Sequence, residues 1–104
     1  MMPETHELKT RPPFFRDVQD GIKTFEYRKN DRGFKVGDTL ILREWLPKTG
    51  DYTGTTVTRK ITYMVEGGQF GIPEGYCILG IGAGPKTPPY LDAALNEGDG
   101  VYRP

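Results

Sequence analysis

Apolar positions along this chain repeat with two periods, and the change of period marks out its elements. Phe14, Phe15, Val18 and Ile22 recur at three- and four-residue spacing opposite Arg16, Asp17, Gln19 and Asp20, the stripe of a short amphipathic helix. Arg11-Pro12-Pro13 precedes it, and the fixed proline dihedrals suit a helix's first turn. Gly21 can take the left-handed conformation that ends a helix. Residues 55–65 instead alternate, with Val57, Ile61, Tyr63 and Val65 on one face and Thr56, Thr58, Lys60 and Thr62 on the other, which predicts a long strand. Shorter strands are predicted over 6–9, 23–29, 39–45 and 76–81. In the third of these the unbroken run Leu40-Ile41-Leu42 implies cover on both faces.

The connections are read from turn chemistry. Asn30-Asp31-Arg32-Gly33 is a turn by composition, residues 47–54 form a loop holding Tyr52, and residues 66–75 form a glycine-rich connection around Gly67-Gly68. That connection lacks the lysine and hydroxyl residue of a phosphate-binding loop and reads as a flexible connector beside the cleft. Five strands with one early helix in so short a chain fit a mainly β (α+β) fold, a small curved antiparallel sheet closing toward a barrel with the helix plugging one opening. Beyond Gly82, Gly84-Pro85, Pro88-Pro89 and Glu97-Gly98-Asp99 change the composition. Residues 1–82 are therefore expected to form one domain and 83–104 a Pro/Gly-rich tail with at most a short helix near 90–95.

Composition narrows the function classes. At 104 residues the chain can bury one modest core. Its 36% hydrophobic content is low, and 12% aromatic residues offset this, since each ring buries a large area. Fourteen basic and fourteen acidic side chains cancel, which gives no support for bulk phosphate binding by a basic surface, so any nucleic-acid contact must be local. One cysteine, Cys77, and one histidine, His6, leave no internal disulfide and no Cys/His zinc site. Cys77 sits in the apolar run Tyr76-Cys77-Ile78-Leu79 and is expected in the core; His6, near the terminus, is expected to be a hydrogen-bonding residue and not a catalyst. No metal or cofactor is expected. The N-terminal Met1-Met2-Pro3-Glu4-Thr5-His6 lacks a signal-peptide pattern, and no apolar run approaches the roughly 20 residues that span a bilayer. A cytoplasmic protein without a membrane partner is expected, with a monomer as the favoured state.

The candidate chemistry is concentrated in Gly21-Ile22-Lys23-Thr24-Phe25-Glu26-Tyr27-Arg28. On an extended segment, Thr24, Glu26 and Arg28 share one face while Phe25 and Tyr27 share the other. One face can pack and the other can bind. A lysine at the helix-to-strand junction beside a carboxylate and a guanidinium is a cluster that stability alone rarely requires, although charges on an open strand face are also ordinary.

The pattern Gly21-x-Lys23-x-x-Glu26-x-Arg28 resembles the signature of the ASCH domain, a branch of the PUA-like β-barrels. His6-Glu7-Leu8-Lys9, Asn30-Asp31-Arg32-Gly33-Phe34, Val36-Gly37-Asp38, Glu44-Trp45, Tyr52-Thr53-Gly54 and Gly75-Tyr76-Cys77-Ile78-Leu79 are similar to the compact bacterial and phage subfamily DUF3850, over residues 6–81. The resemblance implies a barrel of about five to six strands with a helix capping a cleft. Into that cleft the lysine, glutamate and arginine project to bind RNA or a nucleotide-like small molecule. Arg28 offers a planar fork for phosphate or a base edge, Lys23 a mobile charge, and Glu26 an acceptor for a base amino group or a ribose hydroxyl. Asn30, Asp31 and Arg32 are expected to help. Trp45 and Tyr52 would stack on an unpaired base if they reach the rim, although core or loop packing is the plainer fate of both.

Two other classes compete with single-stranded RNA or nucleotide binding. One ASCH-like subgroup hydrolyses acylated cytidines, with a threonine three residues after the lysine as presumed nucleophile. This chain has Glu26 there and its nearest hydroxyl, Thr24, two residues away along the strand. Lys23 and Glu26 are thus the candidate catalytic pair, activating water against a substrate such as N4-acetylcytidine. The other class is a protein-interaction domain of phage or plasmid origin, docking a partner through Tyr90-Leu91 and Ala93-Ala94-Leu95 in its tail.

Overall fold

A computed structural model of the chain describes residues 2–82. The expected tail, with the stretch around 90–95, lies outside the described residues. Elements run β1 (Thr5–Thr10), α1 (Phe14–Gln19), β2 (Phe25–Lys29), β3 (Thr39–Leu46), β4 (Asp51–Glu66) and β5 (Tyr76–Ile81). The five strands form one sheet in the order β1-β3-β4-β5-β2.

Two expectations are corrected here. The sheet is mixed, because β1 pairs parallel with β3, Leu8 opposite Leu42, while the other three pairings are antiparallel. A parallel pair needs a long crossover, and α1, β2 and the turn after it supply one. Nor does the ladder close into a barrel, since β1 and β2 remain its two edges.

One face of the sheet carries the core. Leu8, Leu40, Leu42, Ile61 and Leu79 are buried on it with Cys77, and Phe15 and Val18 of α1 pack into the same cluster. Burial raises the Cys77 thiol pKa, with Glu66 and Asp31 adding to the effect, so the cysteine is core material and a poor nucleophile. The helix is shorter than its apolar stripe. It ends at Gln19, leaving Ile22 beyond it and exposed, while Phe14 faces outward at its start. Gly21, at φ +78°, makes the turn: its N–H bonds to the Val18 carbonyl at 3.0 Å and the Ile22 N–H to the Asp17 carbonyl at 2.9 Å. This is the Schellman arrangement.

A bulge between Ile61 and Tyr63 shifts the phase of β4. The expected apolar face therefore splits: Val57 and Ile61 point into the core, Tyr63 is exposed and Met64 packs inward in its place. Arg59 also points inward. Its guanidinium donates to the Val18 carbonyl at the end of α1 and to the Thr58 carbonyl, both at 2.9 Å, and burial pushes its pKa down. The cation fits the negative end of the helix. Residues 47–54 prove shorter as a loop than expected, because Tyr52 lies in β4 opposite Trp45. The connection after β4 is tightly built: a Cβ on Gly67 would lie 2.1 Å from the Pro73 carbonyl oxygen, and the Gly68 N–H bonds to the Ile72 carbonyl at 2.7 Å.

Asp38 joins the N-terminus to the start of β3. Its carboxylate accepts the Glu4 N–H at 3.0 Å, the Lys35 N–H at 3.1 Å and the His6 Nε2–H at 2.9 Å. His6 in turn packs edge-on against Phe34, with ring centroids 4.8 Å apart. Burial alone would raise the Asp38 pKa, but the bonds from Glu4, His6 and Lys35 outweigh it and hold the pKa below the ordinary carboxylate value. A depressed folded-state pKa adds stability above the unfolded value of about 3.9, and that stability is lost as pH falls through the folded value. Asp38→Asn should therefore cost about 1–3 kcal/mol at neutral pH by turning an amide toward buried donors. The gap between the two proteins should narrow below about pH 4, as read by thermal unfolding across pH 3–7.

Candidate functional site

The cleft forms where the ends of β1 and β2 approach. Glu26 lies on the core side of β2 and is 3% exposed. A carboxylate this buried must be compensated, and both its oxygens are: Oε2 accepts from Lys23 Nζ at 2.8 Å, while Oε1 accepts from Arg28 Nε at 2.9 Å and forms an ion pair with Nη2 at the same distance. Arg28 Nη2 reaches on across the gap between the edges, donating to the Lys9 carbonyl at 3.3 Å and the Thr10 hydroxyl at 3.1 Å. Lys23 also donates to the Phe25 carbonyl at 2.7 Å, and its ammonium lies 4.8 Å from the Phe25 ring centroid. The strand alternation holds with its faces reversed from ordinary amphipathicity. The charged residues point inward, and Phe25 and Tyr27 stand outside, about half exposed at 48% and 50%.

These groups line a cleft of about 530 Å³, within the roughly 300–1,000 Å³ of small-ligand sites. From β2 and its approach come Lys23, Phe25, Glu26, Tyr27 and Arg28; from β1 and the start of α1 come Lys9, Thr10, Arg11 and Phe14. Four cationic residues and three aromatic residues thus line the cleft beside one carboxylate already held in ion pairs, with Lys23 and Arg28 directed onto it. Arg28 Nη1 and one N–H of Lys23 have no protein acceptor among the described residues and are free to meet a ligand acceptor.

Lys23, Glu26 and Arg28 therefore converge on one concavity. Asn30, Asp31 and Arg32 sit elsewhere: Asn30 accepts the Phe34 N–H at 3.2 Å to close its turn, Arg32 donates to the Glu7 carbonyl at 2.9 Å, and Asp31 lies 3.8 Å from Arg32. Trp45 lies under Lys9 Nζ, 4.3 Å from the ring centroid, and Tyr52 under the Arg43 guanidinium at 3.9 Å. Neither ring lines the cleft. Thr24 and the glycine-rich connection also stand outside its lining. Sequence spacing missed Lys9, Thr10, Arg11 and Phe14 because only the parallel placement of β1 at the far edge brings them opposite β2. For Phe25 and Tyr27 a signal existed, since both flank Glu26 in the motif.

Removing one partner of a buried pair costs about 3–5 kcal/mol, and the cations here keep some contact with water. Glu26→Ala should thus lower the unfolding free energy by about 3 kcal/mol, with Glu26→Gln losing less, as measured by urea denaturation.

Residues 5–81 match the family DUF3850, described as a domain of unknown function. The chain is also similar to a protein of Escherichia phage P2 described as "Uncharacterized 12.9 kDa protein in GpA 3'region", 45% identical over 66 residues. That alignment covers 64% of this chain and 59% of the phage protein.

Proposed function

Because this chain belongs to the DUF3850 family, we propose on the geometry of its cleft that it is an ASCH-like, PUA-related module that binds single-stranded RNA or a nucleotide. The observation that carries this reading is the pairing of a local cationic excess with half-exposed aromatic rings in one concavity, on a chain of zero formal charge. A phosphate satisfies the free donors of Lys23 and Arg28, and a base has rings to lie against at Phe14, Phe25 and Tyr27. Glu26 acts as the anchor that aims the two cations. Arg28, by spanning the gap between the sheet's open edges, supports the barrel-like kinship, since a side chain bridges where the backbone ladder stops.

The amidohydrolase reading has less support. A general base must be aimed at the proton it takes, and both Glu26 oxygens are turned toward Lys23 and Arg28. Lys23 Nζ is likewise committed to the Phe25 carbonyl and to Glu26.

Titration with uridine monophosphate and with short single-stranded RNA at low salt tests the proposal. Binding is expected to saturate and to weaken with salt, with log K falling by about 0.7 per tenfold salt for each phosphate neutralised on a single strand. Arg28→Ala should abolish it. The double variant Lys9→Ala/Arg11→Ala, which leaves the Glu26 ion pairs intact, should weaken binding and flatten the salt slope. A folded protein indifferent to both probes overturns the proposal.

A further inference from the structure

The outer face of the β4–β5–β2 half of the sheet carries rings that the core does not use. Tyr27 and Tyr76 stack with centroids 5.5 Å apart and planes 19° from parallel. Phe25 stands two residues before Tyr27 on the same face, Tyr63 is 68% exposed on β4, and Phe25 and Tyr63 both pair with Gly80 of β5. An antiparallel sheet face open to water ordinarily carries polar residues, so four exposed rings on three adjacent strands require another account. Packing within the chain explains part of it: Tyr63 lies over the bare Gly80, whose added Cβ would come within 3.2 Å of the tyrosine Cβ. It does not explain Tyr27 and Tyr76.

Tyr27 supplies the link, because it lines the cleft and also stacks on Tyr76. Lys29, exposed at the end of β2, pairs in register with Tyr76. The same alternation of ring and cation found in the cleft thus continues over the edge of the sheet. Resting on the nucleic-acid reading of the cleft, we infer that its ligand is an oligonucleotide whose strand leaves the cleft past Tyr27 and stacks a further base on the Tyr27–Tyr76 pair, with Lys29 beside the backbone phosphate. Every base offers a π-face, so such a platform extends the site without adding sequence preference.

The test compares uridine monophosphate, which fills only the cleft, with a single-stranded RNA hexamer. Tyr76→Ala, outside the cleft, should leave mononucleotide affinity unchanged and lower hexamer affinity roughly 5- to 150-fold, the effect of losing one base stack. Tyr76→Phe should keep the affinity of the parent, and Lys29→Ala, which removes the cation placed beside the phosphate, provides a second variant that lowers hexamer affinity if Tyr76→Ala unfolds. If Arg28→Ala abolishes both ligands while Tyr76→Ala and Lys29→Ala leave hexamer affinity untouched, the platform is overturned and the cleft reading stands. If neither probe binds the parent protein, both fall. A concentration-dependent dimer that Tyr76→Ala dissociates, with hexamer binding unchanged, would overturn the inference by giving this face to a second copy of the chain.

Discussion

The buried carboxylate of Glu26 is the constraint around which this structure is organised. An ionised carboxylate on the core side of a sheet is tolerated only with its oxygens occupied, and here the two occupants come from opposite directions. Lys23 arrives from the helix side, placed by the left-handed turn at Gly21. Arg28 arrives along β2 and continues to the carbonyl of Lys9 and the hydroxyl of Thr10 on β1. One carboxylate thus fixes the exit from α1, the phase of β2 and the approach of the two sheet edges. The cleft is the space these ties leave open, so fold and site rest on the same bonds.

Two further inward polar groups follow the same logic. Asp38 gathers the chain's N-terminal approach, the residue-35 turn and His6 around one buried anion, while Arg59 places one buried cation against the carbonyl end of α1. Neither faces the cleft. Their bonds are directed mainly at backbone groups, which explains their burial without invoking ligand chemistry. Glu26 differs because its partners are side chains that keep donors to spare. That difference, more than burial itself, marks one polar cluster as a candidate site and the others as joints.

Much of this was legible in the sequence, and the limits have physical causes. The strands over 39–45 and 76–81 and the helix start after Pro13 follow from local pattern and turn chemistry, which the final structure respects. Strand alternation placed Glu26 and Arg28 on one face, and the convergence of Lys23 with them was what the resemblance to the ASCH signature implied. What failed was information held between segments. The parallel pairing of β1 with β3 is invisible to local periodicity, so Lys9, Thr10, Arg11 and Phe14 could not be assigned to the cleft. The bulge after Ile61 inserts a residue into an otherwise clean alternation and moves Tyr63 to the outside, a shift that hydrophobicity alone argues against. Asn30 shows the opposite error: its turn-forming amide serves the Phe34 N–H, and nearness in sequence to the motif says nothing about nearness to the cleft.

The accounting of donors also narrows what the cleft is suited to recognise. Were Glu26 free, it would favour ligands rich in N–H and O–H groups, such as a base amino edge or a ribose diol. Each of its oxygens instead accepts from a cation, which leaves the site donor-rich: one N–H of Lys23, the outer guanidinium nitrogen of Arg28, and Arg11 in the lining. Under the proposed nucleotide-binding reading, such a surface would favour acceptors, above all phosphate oxygens, and would meet a base mainly at its carbonyls and its flat face. The rings of Phe14, Phe25 and Tyr27 supply the complementary half, since stacking requires no particular donor pattern. On that reading a neutral chain would hold a polyanion locally, because positive charge is concentrated where Glu26 holds it in place, and discrimination would come from strand geometry more than from base identity.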